Sequence, residues 1–459
     1  MKLPNSLHLF VGRGFFAFSL LREYQFRFLM RILRHDQKNF DVRSVEILSR
    51  RAETPVRLRQ AVARIIEKVE KDGDHAVLAL TKKFDKATLT AASLRVSPSE
   101  LREARKNLAP KTREVVAASH DNISSFAEKS LQKDWIMNNA QGVKVGEVFQ
   151  PFKRVGVYVP GGTAPLVSTS LMTVAIAKVA GVEEIAVCTP PGSDGSINPN
   201  LLYALDRAGA SEVYKAGGAQ AIAALACGTN CIKPVDKVFG PGNSFVVEAK
   251  RQLFGRVAVD LLPGPSEVLV IADSLGRADW IASDMLAQAE HGGDSQVVLM
   301  TTSEKLLDGV KVELKKQSAL LDRKEQIRQV LSSGTTLVLV KSLAQAVDLA
   351  NQYAAEHISL VVRNEDKILP RIRTAGALFL GGYSPVARGD FLAGPSHTLP
   401  TGGAGKSFSG LTAEMFQRRT SIIKADQRSM RKSASIVEAF AQIEGLDAHG
   451  RSARIRVDG

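Results

Sequence analysis

Cysteine is scarce: Cys188, Cys227 and Cys231 are the only three in 459 residues. An odd, sparse set excludes a disulfide scaffold and suits a reducing compartment. Cys227 and Cys231 are separated by three residues, but two thiols alone do not close a zinc site. Cys188 lies in the apolar run EEIAVCTPP and reads as a small buried side chain. Aromatic residues make up only 6% of the chain. None interleaves with a basic stripe, so the net charge of +14 reads as surface excess and no nucleic-acid partner is expected. The apolar cluster FFAFSLL near the start is too short to span a bilayer, and no membrane association is expected. No G-x-G-x-x-G follows a candidate strand, so spacing alone does not point to a dinucleotide.

What is present divides by composition. Residues 1–34 hold six of the nineteen phenylalanines and six basic side chains against one acid. They lack a small-residue cleavage pattern. Two readings stand: an organelle-targeting leader, or a true start at Met30, the second being preferred. A cytoplasmic setting is expected. From Asp41 to about Lys133 apolar residues recur at three- and four-residue intervals, which predicts amphipathic helices. From Arg154 short β-branched runs alternate with helical stretches, in two sets, the second beginning at EVLVIAD (267–273). That rhythm predicts two α/β units with parallel sheets. Expected boundaries are 35–153 for the helical segment and first part of one α/β domain, 154–266 for the second domain, 267–411 for the remainder of the first, and 412–459 for a basic helical arm. Gly-Pro loops (159–165, 239–243, 262–267, 392–397) are expected where strands end, the place where open α/β sheets collect ligands.

Four of the eight histidines, His291, His357, His397 and His449, fall in Gly-flanked polar segments. Glu356-His357 sets a carboxylate beside an imidazole, a general-base pair suited to neutral pH. Gln288 and His291 are three apart at the end of an expected helix that Gly292-Gly293 closes, so both project from one side. Asp390 is expected in a Gly-rich loop. Gln288, His291, Asp390 and His449 would make a nitrogen/oxygen shell for zinc, manganese or cobalt. Each residue alone also has an ordinary reading as a cap, turn or surface group.

The segments VGVYVPGGTAPL, GGAQAIAALACG, VDKVFGPGN, GPSEVLVIAD, AQAEHGGDSQ, GDFLAGPSHTLPTGG and EGLDAHG resemble, in order, those of the histidinol dehydrogenase family. The resemblance runs from about residue 45 to 457. It implies two Rossmann-like α/β/α units with a helical N-terminal segment and a helical C-terminal arm. It implies oxidation of L-histidinol to L-histidine through an aldehyde with two NAD+, in the last steps of histidine biosynthesis. A same-fold enzyme acting on another polar alcohol, such as a sulfonated diol, is the alternative. The resemblance assigns zinc to Gln288, His291, Asp390 and His449, alcohol-proton removal to His357 and water activation to Glu356. Ser266, His397 and Glu444 match substrate contacts, as do the zinc ligands and His357. Tyr158, Gln220 and Asn243 match NAD contacts. It also implies a homodimer whose exchanged arm carries Glu444 and His449 to the other copy. Ala355, Gly293, Val386 and Phe391 depart from the residues common in the family.

Overall fold

The computed structural model describes residues 30–48, 54–161 and 165–458. Strand β1 (Arg31–Arg34) comes first. Helices Phe40–Leu48, Val56–Phe84 and Pro110–Ser130 follow, with shorter ones between the last two. Helix Val56–Phe84 buries Val62, Ile65, Ile66 and Val69, a three-and-four spacing that makes one apolar stripe. A hairpin, β2 (Trp135–Asn138) and β3 (Lys144–Pro151), leads into β4 (Arg154–Tyr158), β5 (Glu184–Thr189), β6 (Glu212–Lys215), β7 (Lys237–Phe239) and β8 (Ala258–Val259). A second series is β9 (Glu267–Ala272), β10 (Gln296–Thr301), β11 (Thr335–Leu339), β12 (His357–Val361) and β13 (Ala377–Leu380), and the last strand is β14 (Gln417–Lys424).

Two fully parallel sheets result, ordered β6-β5-β4-β7-β8 and β1-β11-β10-β9-β12-β13. Counted from β4 and from β9, both run 3-2-1-4-5, the order of a doubly wound nucleotide-binding sheet. Every residue of β4, β9 and β11 is buried, as expected where helices cover both faces. Alternate residues serve opposite cores: Val155 and Val157 pack on one side of β4, Tyr158 on the other. Val268 and Val270 oppose Leu269 and Ile271 in the same way in β9. Each such side chain contributes about 1.5–3 kcal/mol. Among the described residues no helix is long and apolar enough to cross a membrane.

Three expectations are corrected. Residues 31–34, assigned to the leader, are an edge strand of the larger sheet, with Leu33 fully buried; residues 1–29 lie outside the described residues. The C-terminal arm is not helical throughout, because Gln417–Lys424 pairs antiparallel with β3 over its whole length. Helices Gln427–Glu444 and Asp447–Arg454 come after it and pack on each other. Asp390 lies in the short helix Val386–Phe391 rather than in a loop.

Candidate active site

Helix Leu343–Tyr353 ends at Ala354, whose φ of 51° is left-handed, a conformation uncommon without glycine. The turn delivers Glu356 and His357 to the amino end of β12, both buried. There the backbone of Glu267, at the head of β9, fixes both side chains. Its N–H donates to Glu356 Oε2 at 2.8 Å, and its carbonyl receives His357 Nδ1 at 3.1 Å. A carbonyl only accepts, so Nδ1 carries a hydrogen and Nε2 is the nitrogen free to gain or lose a proton. That Nε2 lies 3.7 Å from Asp390 Oδ1. Burial pushes the His357 imidazole toward its neutral form, but the Glu356 and Asp390 carboxylates outweigh burial and raise its pKa to about 9.

Asp390 and His397 form the facing wall. The Asp390 carbonyl accepts from His397 Nδ1 at 3.1 Å, which leaves His397 Nε2 to accept from the Thr169 hydroxyl at 2.8 Å. Burial lowers the His397 pKa despite Asp390, and nearby His291 lowers it further. A cavity of about 240 Å³ opens here, lined by His357, Phe379, Arg388, Asp390, Ser396 and His397. Ser266 directly precedes Glu267 at the same strand end.

Helix Ala278–Ala289 carries Gln288 in its last turn, and His291, just beyond its end, is near enough to act on His397. Gln288 is 1% exposed, and neither its Oε1 nor its Nε2 has a hydrogen-bond partner. Leaving such atoms unpaired costs about 1–3 kcal/mol each, a cost that fits a ligand-holding amide. With the Asp390 carboxylate and the His291 imidazole, the donors suit a divalent ion of the zinc type. Among the described residues no three His, Cys, Asp or Glu side chains gather for a metal. His449 and Glu444 are exposed on the two arm helices, away from the cavity lining.

Tyr158, Gln220 and Asn243 belong to the carboxyl edge of the five-stranded sheet, Tyr158 ending β4 and the others following β6 and β7. The Tyr158 hydroxyl accepts from Gly218 N at 3.1 Å, and burial pushes its pKa up to about 12. Gln220 is buried in the first turn of helix Gly218–Cys227. Asn243 caps helix Ser244–Leu253, its Oδ1 accepting from Phe245 N and Val246 N at 3.0 and 3.2 Å. Nearby, the Thr189 hydroxyl is buried and unpartnered, and Gly161 lies so close that an added Cβ would stand 2.9 Å from it. Bare backbone and an unpaired polar atom at a switch point fit a bound dinucleotide.

The histidinol dehydrogenase family profile matches residues 48–457. The chain belongs to the histidinol dehydrogenase family. It is 42% identical over 397 residues to histidinol dehydrogenase from Heliobacterium mobile, covering 86% of this chain and 93% of that one. It is 42% identical over 419 residues to the enzyme from Methanothermobacter thermautotrophicus, covering 91% and 98%. The crystal structure of histidinol dehydrogenase from Elizabethkingia anophelis superposes with a TM-score of 0.89 at 34% identity, covering 94% of this chain and 98% of that one. The chain is accordingly an oxidoreductase of histidine biosynthesis, and the sulfonated-diol alternative is not favoured.

For this histidinol dehydrogenase family member, the expectation that all four Gly-Pro loops end strands is corrected at one of them. Loops 159–165, 239–243 and 262–267 follow β4, β7 and β8, the last leading on into β9, but 392–397 follows helix Val386–Phe391. The Glu356–His357 pair sits at the amino ends of β9 and β12, opposite to the edge expected for ligands. Sequence reasoning also missed Glu267 and Thr169. Glu267 acts through its backbone, which leaves no side-chain signature, and its carboxylate accepts from Gly402 N at 2.9 Å. Thr169 stands in an apolar helical run with no signal of its own. Of the departures from the family pattern, Ala355 and Val386 are buried and Phe391 is exposed, while a side chain at Gly293 would meet the amide of Gln329.

Proposed function

We propose that the chain oxidises L-histidinol to L-histidine through L-histidinaldehyde, using NAD+ twice and holding zinc. The observation that carries this reading is the Glu356–His357 pair locked onto Glu267, with His357 Nε2 turned toward Asp390 beside the cavity. The balance is R–CH2OH + H2O + 2 NAD+ → R–COO⁻ + 2 NADH + 3 H+. In its neutral form His357 takes the hydroxyl proton on Nε2 as a hydride leaves the carbinol carbon. Nδ1–H stays anchored on the Glu267 carbonyl, and the Glu356 and Asp390 carboxylates stabilise the imidazolium that forms. Glu356 then takes a proton from water whose oxygen bonds to the aldehyde carbon, and the hydrate loses the second hydride. NAD+, when bound, accepts each hydride.

Gln288, His291 and Asp390 would hold zinc, joined by His449 of a second copy. Zinc, when bound, would supply a fixed positive anchor for the substrate's nitrogens and keep the aldehyde from escaping. Ser266, His397 and the second copy's Glu444 would complete the substrate contacts. Tyr158, Gln220 and Asn243, in the unit 154–266, would hold NAD+, and 35–153 with 267–411 would make the catalytic side. Exposed Ile436, Phe440, Ile443 and Ile455 on the arm helices support an arm-exchanged homodimer. A cytoplasmic setting follows from the biosynthetic role.

The deciding assay is NADH release from L-histidinol by zinc-loaded protein. Glu356→Gln should keep alcohol oxidation and lose aldehyde oxidation, and His357→Asn should do the reverse. Absence of NADH from the unmodified protein ends the reading. Mixed dimers of His357→Asn and His449→Asn chains should regain one active site of two, and dead mixed dimers would rule out arm exchange.

A further inference from the structure

Asp85 occupies a place that neither the bases nor the metal donors use. It caps helix Val56–Phe84 at its carboxyl end, its N–H donating to Thr81 O at 2.8 Å. The following residue, Lys86, has a φ of 62°, and this turn carries the chain away from the helix. Asp85 Oδ2 is buried with no hydrogen-bond partner. Among the described residues no cation offsets its charge: burial alone acts on the carboxyl, raising its pKa to about 6. The Lys86 ammonium points elsewhere, to Lys83 O at 2.9 Å.

The surroundings of this carboxylate are informative. A Cβ added to Gly217 would lie 3.2 Å from Asp85 Oδ1 and 2.7 Å from the Pro190 side chain, so the three share one corner. Tyr158 is close enough for the Asp85 charge to raise its pKa. Pro190 follows β5, Gly217 follows β6 and Tyr158 ends β4. Asp85 therefore stands at the carboxyl edge of the five-stranded sheet, beside its second strand. In doubly wound sheets an acid at this position accepts the 2′-hydroxyl of the adenosine ribose. Here β5 ends Cys188-Thr189-Pro190-Pro191, with no acid. Asp194, further along the loop, is already committed to Ser196 N at 2.9 Å and Ser196 Oγ at 2.7 Å.

We propose that Asp85, brought in from the helical segment, is the ribose-holding carboxylate of the dinucleotide site and selects NAD+ over NADP+. The assignment rests on the reading of this sheet as the cofactor side. A ribose hydroxyl can donate to the unpaired oxygen and offset its burial. A 2′-phosphate brings negative charge against a carboxylate that no described cation faces, and it removes the hydroxyl donor as well. A hydrogen bond to a charged acceptor is worth roughly 10- to 100-fold in affinity.

Calorimetric titration of the zinc-loaded protein tests this with NAD+, NADP+ and NAD+ lacking the adenosine 2′-hydroxyl. The unmodified protein should bind the deoxy analogue at least about tenfold more weakly than NAD+, and NADP+ more weakly still. Asp85→Asn should weaken NAD+ binding while NADP+ binding stays level or tightens. Equal affinity of the unmodified protein for NAD+ and the deoxy analogue overturns the assignment without any variant having to fold. A loss of NADP+ binding in Asp85→Asn as large as its loss of NAD+ binding also overturns it. If the unmodified protein binds no NAD+ at all, the cofactor reading fails and the assignment falls with it.

Discussion

Lys250 and Asp260 form an ion pair whose side chains are both fully buried. Lys250 Nζ donates to Asp260 Oδ1 and, at 2.9 Å, to the Gly240 carbonyl, while Asp260 Oδ2 accepts from Gly240 N at 2.8 Å. The pair thus holds both backbone groups of a residue with a φ of 106°, where an added Cβ would strike the Tyr158 carbonyl. Lys250→Met strands the carboxylate and the Gly240 carbonyl, and breaking a buried pair on one side costs about 3–5 kcal/mol. Lys237 is a second cation that couples to Asp260. Its Nζ is already held by Met415 O at 2.9 Å and sits 4.9 Å from the Phe239 ring centre. It should not move in to compensate. The double change Lys250→Met with Asp260→Leu removes both charges and leaves only the two Gly240 groups unpaired, at about 1–3 kcal/mol each. Urea unfolding of all three variants should show the double costing less than the sum of the singles by about 2 kcal/mol or more. NAD+ affinity should fall with stability, because Gly240 opens the turn to Asn243. A Lys250→Met penalty below about 1 kcal/mol would refute the account, since the group left behind would then not be desolvated.

Two further outcomes follow from the site. In metal-free protein the His357 pKa of about 9 exceeds the unfolded value near 6.5, so protonation stabilises the fold. That stability, on the order of 3 kcal/mol, is fully present below pH about 6.5 and lost as pH rises through about 9; imidazole NMR should find the titration there, and Glu356→Gln should lower it. Thr169→Val keeps the side-chain volume but strands His397 Nε2, so kcat/KM for L-histidinol should fall about tenfold while NAD+ affinity holds, and equal loss for both ligands would count against the contact.

The candidate residues were more legible in the sequence than their places in the fold. Glu356-His357, Gln288 and His291 stood out because polar segments interrupt otherwise periodic chain. Spacing carries no information about which edge of a sheet receives a segment, so the amino-end placement was not readable. Asp390 was expected in a loop because a glycine, Gly389, precedes it and glycine disfavours helix by about 1 kcal/mol. Tertiary packing overrides that preference: Gly389 lies in the helix so close to the Phe379 ring that an added Cβ would stand 2.6 Å from it. Strand β14 was hidden for another reason. Its residues are exposed or half-buried on both faces, so no two-residue alternation marks it. Strand β1 has only four residues, too few to show a period.

The two sheets share one strand order, and under the proposed function they would present opposite edges to the chemistry. A hydride moves only between carbons in close contact, so the proposed function requires the Glu356–His357 pair and the carboxyl edge of the five-stranded sheet to meet. Helix Val167–Ser170 follows β4 and so begins at the carboxyl edge of the five-stranded sheet. Its Thr169 reaches His397, beside Asp390 and His357, while the Ser396 hydroxyl donates to Met172 O at 3.1 Å. These contacts bind the carboxyl edge of one sheet to the amino edge of the other. Had both units used their carboxyl edges, Glu267 could not have served the bases as it does. The head of a parallel strand leaves its first N–H and C=O free of neighbours on one side, and here those two groups fix Glu356 and His357. In the proposed function the amino edge would thus supply backbone polar groups to orient a proton acceptor, and the carboxyl edge the crevice in which doubly wound sheets take a dinucleotide.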